Sequence, residues 1–271
     1  DAAVYSRDLK MMKLLLDAKA DPNASSHLHH SPAQAIAEAV EWADQEEALR
    51  VLAGAGGKVT AVEAAALTNA ATLEKVLKDR PAAIKDADPT GRTPLHMAAY
   101  GAREECMRVL ISKGAGLDAR DWMDQTPLHH VVVGYGVALM RGVHGRHDDD
   151  EWHGAIDQKP FLTALTLLLD AGANPNLICR ADVAEVSLGS PLHHAAAVGF
   201  LPAMKVLVEH KADVNLKGSD GTTPLAMAMK GCRLVTTRRN TAGMIKYLVE
   251  RGADPNDPGA YVMTVLHWAM Q

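Results

Sequence analysis

The sequence predicts an all-α chain built as a solenoid of stacked helix–turn–helix repeats, about six full units with partial units at the ends. Three observations carry this expectation. First, a short string recurs: TPLH at Thr93–His96 and Thr126–His129, SPLH at Ser190–His193, TPLA at Thr223–Ala226 and TVLH at Thr264–His267, with degenerate copies from Ser31 and Thr60. Second, another string follows downstream, as LLLDAKADPN (14–23), LISKGAGLD (110–118), LLLDAGANPN (167–176), LVEHKADVN (207–215) and LVERGADPN (248–256). Third, the period is fixed: Thr60 to Thr93, Thr93 to Thr126 and Ser190 to Thr223 are each 33 residues. A constant period broken by discrete insertions marks a stacked array, in which each unit buries its apolar face against its neighbours.

Within one unit every residue of the string has a local task. Gly91 permits the tight turn that precedes the helix. Thr93 can cap the free N–H groups of the first turn, and Pro94 at the first helical position forfeits no hydrogen bond. Leu95, Ala98 and Ala99 share one helical face. Gly114 then ends the second helix.

Taken in order, units start near residues 31, 60, 93, 126, 190, 223 and 264 of a single array spanning 1–271. Residues 1–24 supply only a second helix and its loop, and the last unit stops inside its first helix. Both ends read as those of a longer array. Units one and two carry Gln34 and Glu63 in place of the recurrent histidine. Only 8 residues separate Leu52 from Thr60, against 16 from Leu110 to Thr126, so the connection there is almost deleted. Insertions fall at about 134–159, 179–187 and 231–240. The first includes VALMRGVH (137–144), apolar enough for a short extra helix.

A 33-residue unit carrying T-P-L-H-x-A and G-A-D-x-N resembles the ankyrin repeat, and the resemblance covers nearly the whole chain. It implies hairpin loops between units, and histidines (His96, His129, His193, His267) that tie the capping residue to the neighbouring turn rather than act in catalysis. It also implies a scaffold that binds a partner protein through a concave face of hairpin tips and inner helices. On that phase the expected contact residues are Arg92, Tyr100, Trp122, Met123, Gln125, Thr222, Lys230, Tyr261 and Met263. Trp, Tyr, Met and Arg are enriched where interfaces concentrate their energy. Trp122 beside Met123 at a loop tip has no evident folding task.

Composition narrows the alternatives. The net charge is −5, so no basic surface dominates and nucleic acid is not the expected partner. No apolar run approaches the ~18 residues of a membrane span. Cys106, Cys179 and Cys232 lie far apart with no CxxC spacing, which fits a reducing intracellular compartment, cytoplasmic or nuclear, while secretion as an effector stays open. No GxSxG, HExxH, P-loop or dinucleotide fingerprint is present, so no catalytic residue and no cofactor is expected. The alternative reading is an enzyme or a small-molecule or metal-binding protein built on the array. Its features would be a divalent metal at His144, His147 and His153, among the carboxylates of residues 148–151, or a pocket at the interior histidines His130 and His194.

Overall fold

A computed structural model describes residues 8–24, 32–38, 45–66, 70–144, 156–180, 189–231 and 241–257. Among these the chain is helical, with no strand. It divides into two compact units, Asp1–Gly116 and Leu117–Gln271.

The first unit contains α1 (Leu9–Asp17), α2 (Pro32–Glu38), α3 (Gln45–Gly54), α4 (Ala61–Ala65), α5 (Ala70–Asp79), a 3-10 turn (Pro81–Lys85), α6 (Pro94–Tyr100) and α7 (Glu104–Ser112). Each repeat pairs a short inner helix with an outer one: α2 with α3, α4 with α5, α6 with α7. Inner helices then stack on inner (α2 on α4, α4 on α6) and outer on outer (α1 on α3, α5 on α7). The small residues explain the close stacking. Ala61, Ala64 and Ala65 of α4 and Ala98 and Ala99 of α6 are all fully buried, while Leu73, Leu95, Met107 and Leu110 fill the space between helix layers.

The shortened connection between the first two repeats is held by specific contacts. Asn23 accepts the Lys58 N–H at 2.8 Å and donates to the Gly56 carbonyl at 3.1 Å. Gly57 is required there, because a Cβ would lie 2.6 Å from the Leu52 side chain and 2.7 Å from its carbonyl oxygen. Glu63 substitutes for the recurrent histidine by forming a capping box, its carboxylate accepting the Thr60 N–H.

The second unit contains α8 (Pro127–His144), α9 (Lys159–Asp170), α10 (Pro191–Ala197), α11 (Leu201–Glu209), α12 (Pro224–Gly231) and α13 (Thr241–Glu250). The same rule holds: α8 packs on α10 and α10 on α12, with α9 on α11 outside. One expectation is corrected. Residues 137–144 are not a separate helix; they continue the inner helix, so α8 runs unbroken for 18 residues. Gly136 does not break it but thins it, since a Cβ there would lie 3.1 Å from Val198 Cγ1. Tyr135 anchors the extension, stacked on Phe200 with ring centroids 3.8 Å apart and edge-on to Phe161 at 5.6 Å. Its hydroxyl accepts Gln158 Nε2 at 3.1 Å.

Successive loops are linked by asparagines. Asn176 donates to the Lys211 carbonyl and accepts the Asp213 N–H, and Asn215 does the same to Gly252 and Asp254 one repeat later. Among the described residues no helix is long and apolar enough to cross a membrane.

Candidate functional site: hairpin tips and a buried imidazole–thiol cluster

Every hairpin described is closed at its base by one backbone bond. Asp88 N–H donates to the Arg92 carbonyl, Asp121 to Gln125, Cys179 to Gly189 and Gly218 to Thr222, at 2.8–3.1 Å. The next residue caps an inner helix, and the recurrent histidine binds that cap. The N–H groups of Thr93, Thr126 and Ser190 donate to Nδ1 of His96, His129 and His193 at 3.0–3.1 Å. With Nδ1 accepting, Nε2 carries the proton. His129 passes it to the Gly189 carbonyl at 3.0 Å and His193 to the Thr222 carbonyl at 2.9 Å. His129 and His193 are therefore staples between one helix start and the next hairpin. Burial holds the His129 and His193 imidazoles below their ordinary pKa, so they stay neutral; the neighbouring His194 adds to the effect at His129.

The expected contact residues fall into distinct places. Trp122 is 61% exposed at its hairpin tip. Met123 and Gln125 are half-buried beside it, and their N–H groups are both accepted by the Asp121 carboxylate, at 3.0 and 2.8 Å. Asp124 completes the turn with φ of 58°, the left-handed conformation that Gly91 and Gly221 adopt in sister hairpins. The tip is braced from outside as well. Arg180 N–H donates to the Met123 carbonyl, its guanidinium pairs with Asp124, and Arg120 donates to the Ile178 carbonyl. Trp122 thus stands on a rigid mount.

In the first unit Arg92 is half-buried and pairs with Asp88, and Tyr100 is half-buried at the end of α6. The expectation of an exposed Thr222 is not met. Thr222 is fully buried, its hydroxyl donating to Asp220 and its carbonyl accepting from His193, because the hairpin base needs it there. Lys230 is near the end of α12 and His144 is the last residue of α8. His147, His153, Tyr261 and Met263 lie outside the described residues.

Behind the Trp122 hairpin lies a buried polar cluster. His130 and His194, each next to a staple histidine, are both buried. His130 Nε2 meets the Asp121 carboxylate at 2.9 Å. His194 Nε2 lies 3.4 Å from Cys179 Sγ, and its ring sits edge-on to His129 with centroids 5.2 Å apart. The Cys179 thiol reaches the Gly189 carbonyl at 3.1 Å. Asp121 and Cys179 hold equivalent places, each the first residue of a hairpin-base pair. The two couples, Asp121–His130 and Cys179–His194, are hence the same structural position in consecutive repeats.

Electrostatics fix what this cluster can do. Burial alone would raise the Asp121 carboxyl, but the hydrogen bond and charge of His130 and the Gln125 and Met123 N–H groups hold it below the usual range. The Cys179 thiol is pushed up by burial and by the Asp121 and Asp124 charges, against the lowering effect of its bonds. A neutral, buried thiol is a weak nucleophile.

Comparison with known proteins then decides the family. The family description Ankyrin repeats (3 copies) matches residues 61–139 and 152–258. The chain belongs to the ankyrin repeat family. It is 31% identical over 188 residues to human Ankyrin repeat and SOCS box protein 16, covering 69% of this chain and 35% of that protein. It is 30% identical over 165 residues to human Neurogenic locus notch homolog protein 1, covering 56% of this chain and 6% of the relative. The zebrafish Danio rerio homologue of that protein matches at 31% over 141 residues, 51% of this chain and 6% of its own length. The chain thus spans about a third of the first of these relatives and a small part of the others. Ankyrin repeats are general protein–protein interaction modules, and this ankyrin chain has the repeat layers, staples and hairpins of one.

Proposed function

We propose that this ankyrin chain is a scaffold that binds a partner protein on its hairpin tips, with Trp122 as the anchor and Met123 and Gln125 beside it. The observation that carries the reading is Trp122 itself, a large apolar ring left 61% exposed on a turn fixed by Asp121, Asp124 and Arg180. Holding an aromatic rigidly in water adds nothing to folding, whereas a pre-organised aromatic binds without the entropy cost of ordering it. Arg92 and Tyr100 take the corresponding role in the first unit, and Lys230, Tyr261 and Met263 extend the set by repeat phase. Cys106 and Cys179 are both buried, and their wide separation in sequence supports a reducing intracellular compartment.

The test is a calorimetric titration of a partner recovered with the intact chain against the Trp122→Ala/Met123→Ala variant. Loss of a central aromatic anchor costs about 2 kcal/mol or more, so affinity falls by roughly 30-fold or beyond with helical content unchanged. Equal affinity for the double variant would remove the Trp122 hairpin from the interface.

A further inference from the structure

The cluster behind the hairpin has a feature that folding does not require. The positions of His130 and His194 are filled in sister repeats by Met97 and Met227, which are also buried. An apolar side chain therefore suffices at this place in the stack. Burying imidazole there instead carries a desolvation cost that calls for a use. Among the described residues, His129, Cys179 and His194 are all buried and bring their donor atoms within 4.8 Å of one another.

We propose that Cys179 Sγ, His194 Nε2 and His129 Nε2 form a binding site for a zinc ion, with the Gly189 carbonyl oxygen facing the fourth position.

The geometry supports this in three ways. Zinc bonds of about 2.3 Å to sulfur and about 2.0–2.1 Å to nitrogen place S and N roughly 3.5 Å apart at a tetrahedral angle. Cys179 Sγ and His194 Nε2 already stand at 3.4 Å. The Gly189 oxygen lies 3.0 Å from His129 Nε2 and 3.1 Å from Cys179 Sγ, inside the same cage. That carbonyl receives three donors, Cys179 N–H, Cys179 S–H and His129 Nε2–H. It has two lone pairs, so losing the thiol and imidazole protons to a metal still leaves it paired with the Cys179 N–H.

Proton balance follows from the contacts. Zinc displaces the Cys179 thiol proton to solvent, one per ion bound. The His129 proton moves from Nε2 to Nδ1, where Thr126 Oγ1, 2.8 Å away, accepts it. The Thr126 N–H loses its Nδ1 partner, a cost small beside the free energy that structural zinc sites supply. A mixed thiolate–imidazole set selects zinc over hard cations such as magnesium or calcium.

The test uses the full chain stripped with a chelator and titrated with cobalt(II) as the spectroscopic substitute. The expected result is a near-ultraviolet thiolate-to-cobalt charge-transfer band with the intense visible bands of tetrahedral cobalt. The end point is one ion per chain, displaced by zinc with one proton released at loading. Cys179→Ser and His194→Gln lose the charge-transfer band or the tetrahedral spectrum, with folding followed by circular dichroism. A Cys106→Ala/Cys232→Ala variant keeps both, which decides the ligand even if Cys179→Ser fails to fold. A His144→Ala/His147→Ala/His153→Ala variant also keeps both. A folded wild-type chain without the thiolate band overturns the site, as does a spectrum that survives in Cys179→Ser or vanishes with the His144 triple variant.

Discussion

A methyl group at residue 189 should unlock one of the histidine staples. Gly189 closes the hairpin base with Cys179 and lies against His193, so that an added Cβ would fall 2.5 Å from Cγ, 2.7 Å from Nδ1 and 2.8 Å from Cδ2 of the imidazole. The ring cannot yield cheaply. It is fully buried, its Nδ1 accepts the Ser190 N–H at 3.1 Å and its Nε2 donates to the Thr222 carbonyl at 2.9 Å. Overpacking in a tight interior costs about 1–3 kcal/mol, and a buried polar group torn from its partner adds about 1–3 kcal/mol. Gly189→Ala should therefore destabilise residues 117–271 by roughly 3 kcal/mol, read as a lower urea midpoint at unchanged slope. A double-mutant cycle isolates the cause. In a His193→Ala background the ring is gone and the added methyl finds room, so the cost of Gly189→Ala should drop by about 2 kcal/mol. Equal costs in both backgrounds would show that the clash with His193 is not what makes glycine necessary.

Two further outcomes follow from the first unit. The Asp88 carboxyl, which burial would raise, is held below its ordinary 3.8 by the Thr90 and Arg92 hydrogen bonds and the Arg92 charge. Its folded pKa is depressed, so its contribution is full above about pH 4 and is lost as pH falls through the lower folded value. Asp88→Asn should lower the urea midpoint at pH 7 and flatten the acid limb below about pH 4; parallel curves for the two proteins would refute this. Hydrogen exchange should be faster in residues 9–17 and 45–58 than in 94–112, because the connection before Thr60 is short and α1 leaves Met11, Leu14 and Leu15 exposed. Uniform protection across these segments would show that the Ala-rich contacts of α4 compensate.

The repeat skeleton was legible because its determinants are local and repeated. Thr93, Pro94 and Leu95 form the same helix start wherever they occur, and the histidine three residues beyond the cap can reach back to it in every copy. Exposure of Trp122 was legible for the same reason, since phase alone puts it at a tip. Thr222 was misplaced because exposure at a tip falls off within one residue, and the residue next to the cap belongs to the hairpin base. The end of α8 was misjudged because residues 137–144 were read as part of an insertion, while Gly136, where a Cβ would lie 3.1 Å from Val198 Cγ1, lets the inner helix continue past its usual length. The place of Cys179 at a hairpin base escaped notice. Its partner Gly189 lies ten residues on, whereas Asp88 and Arg92 are four apart, and the insertion hides that both pairs close the same kind of turn. Asp121 stands one repeat period, 33 residues, after Asp88, but nothing in a linear spacing says that its second oxygen would meet His130.

The single backbone bond at each hairpin base acts as a gate between two kinds of freedom. Below it, residues must keep the stacking register, and a one-residue change would displace a cap, a staple and an asparagine link together. Above it, chain length is almost unconstrained, since residues 180–188 stand where 89–91 suffice in another repeat, and Cys179 and Gly189 still pair at 3.1 Å. An array built this way can acquire new recognition elements at its tips without renegotiating its core. For protein engineering, the stretch between Arg180 and Gly189 is the natural place to graft a foreign peptide, and the residues from Gly189 to His194 are the place to leave untouched.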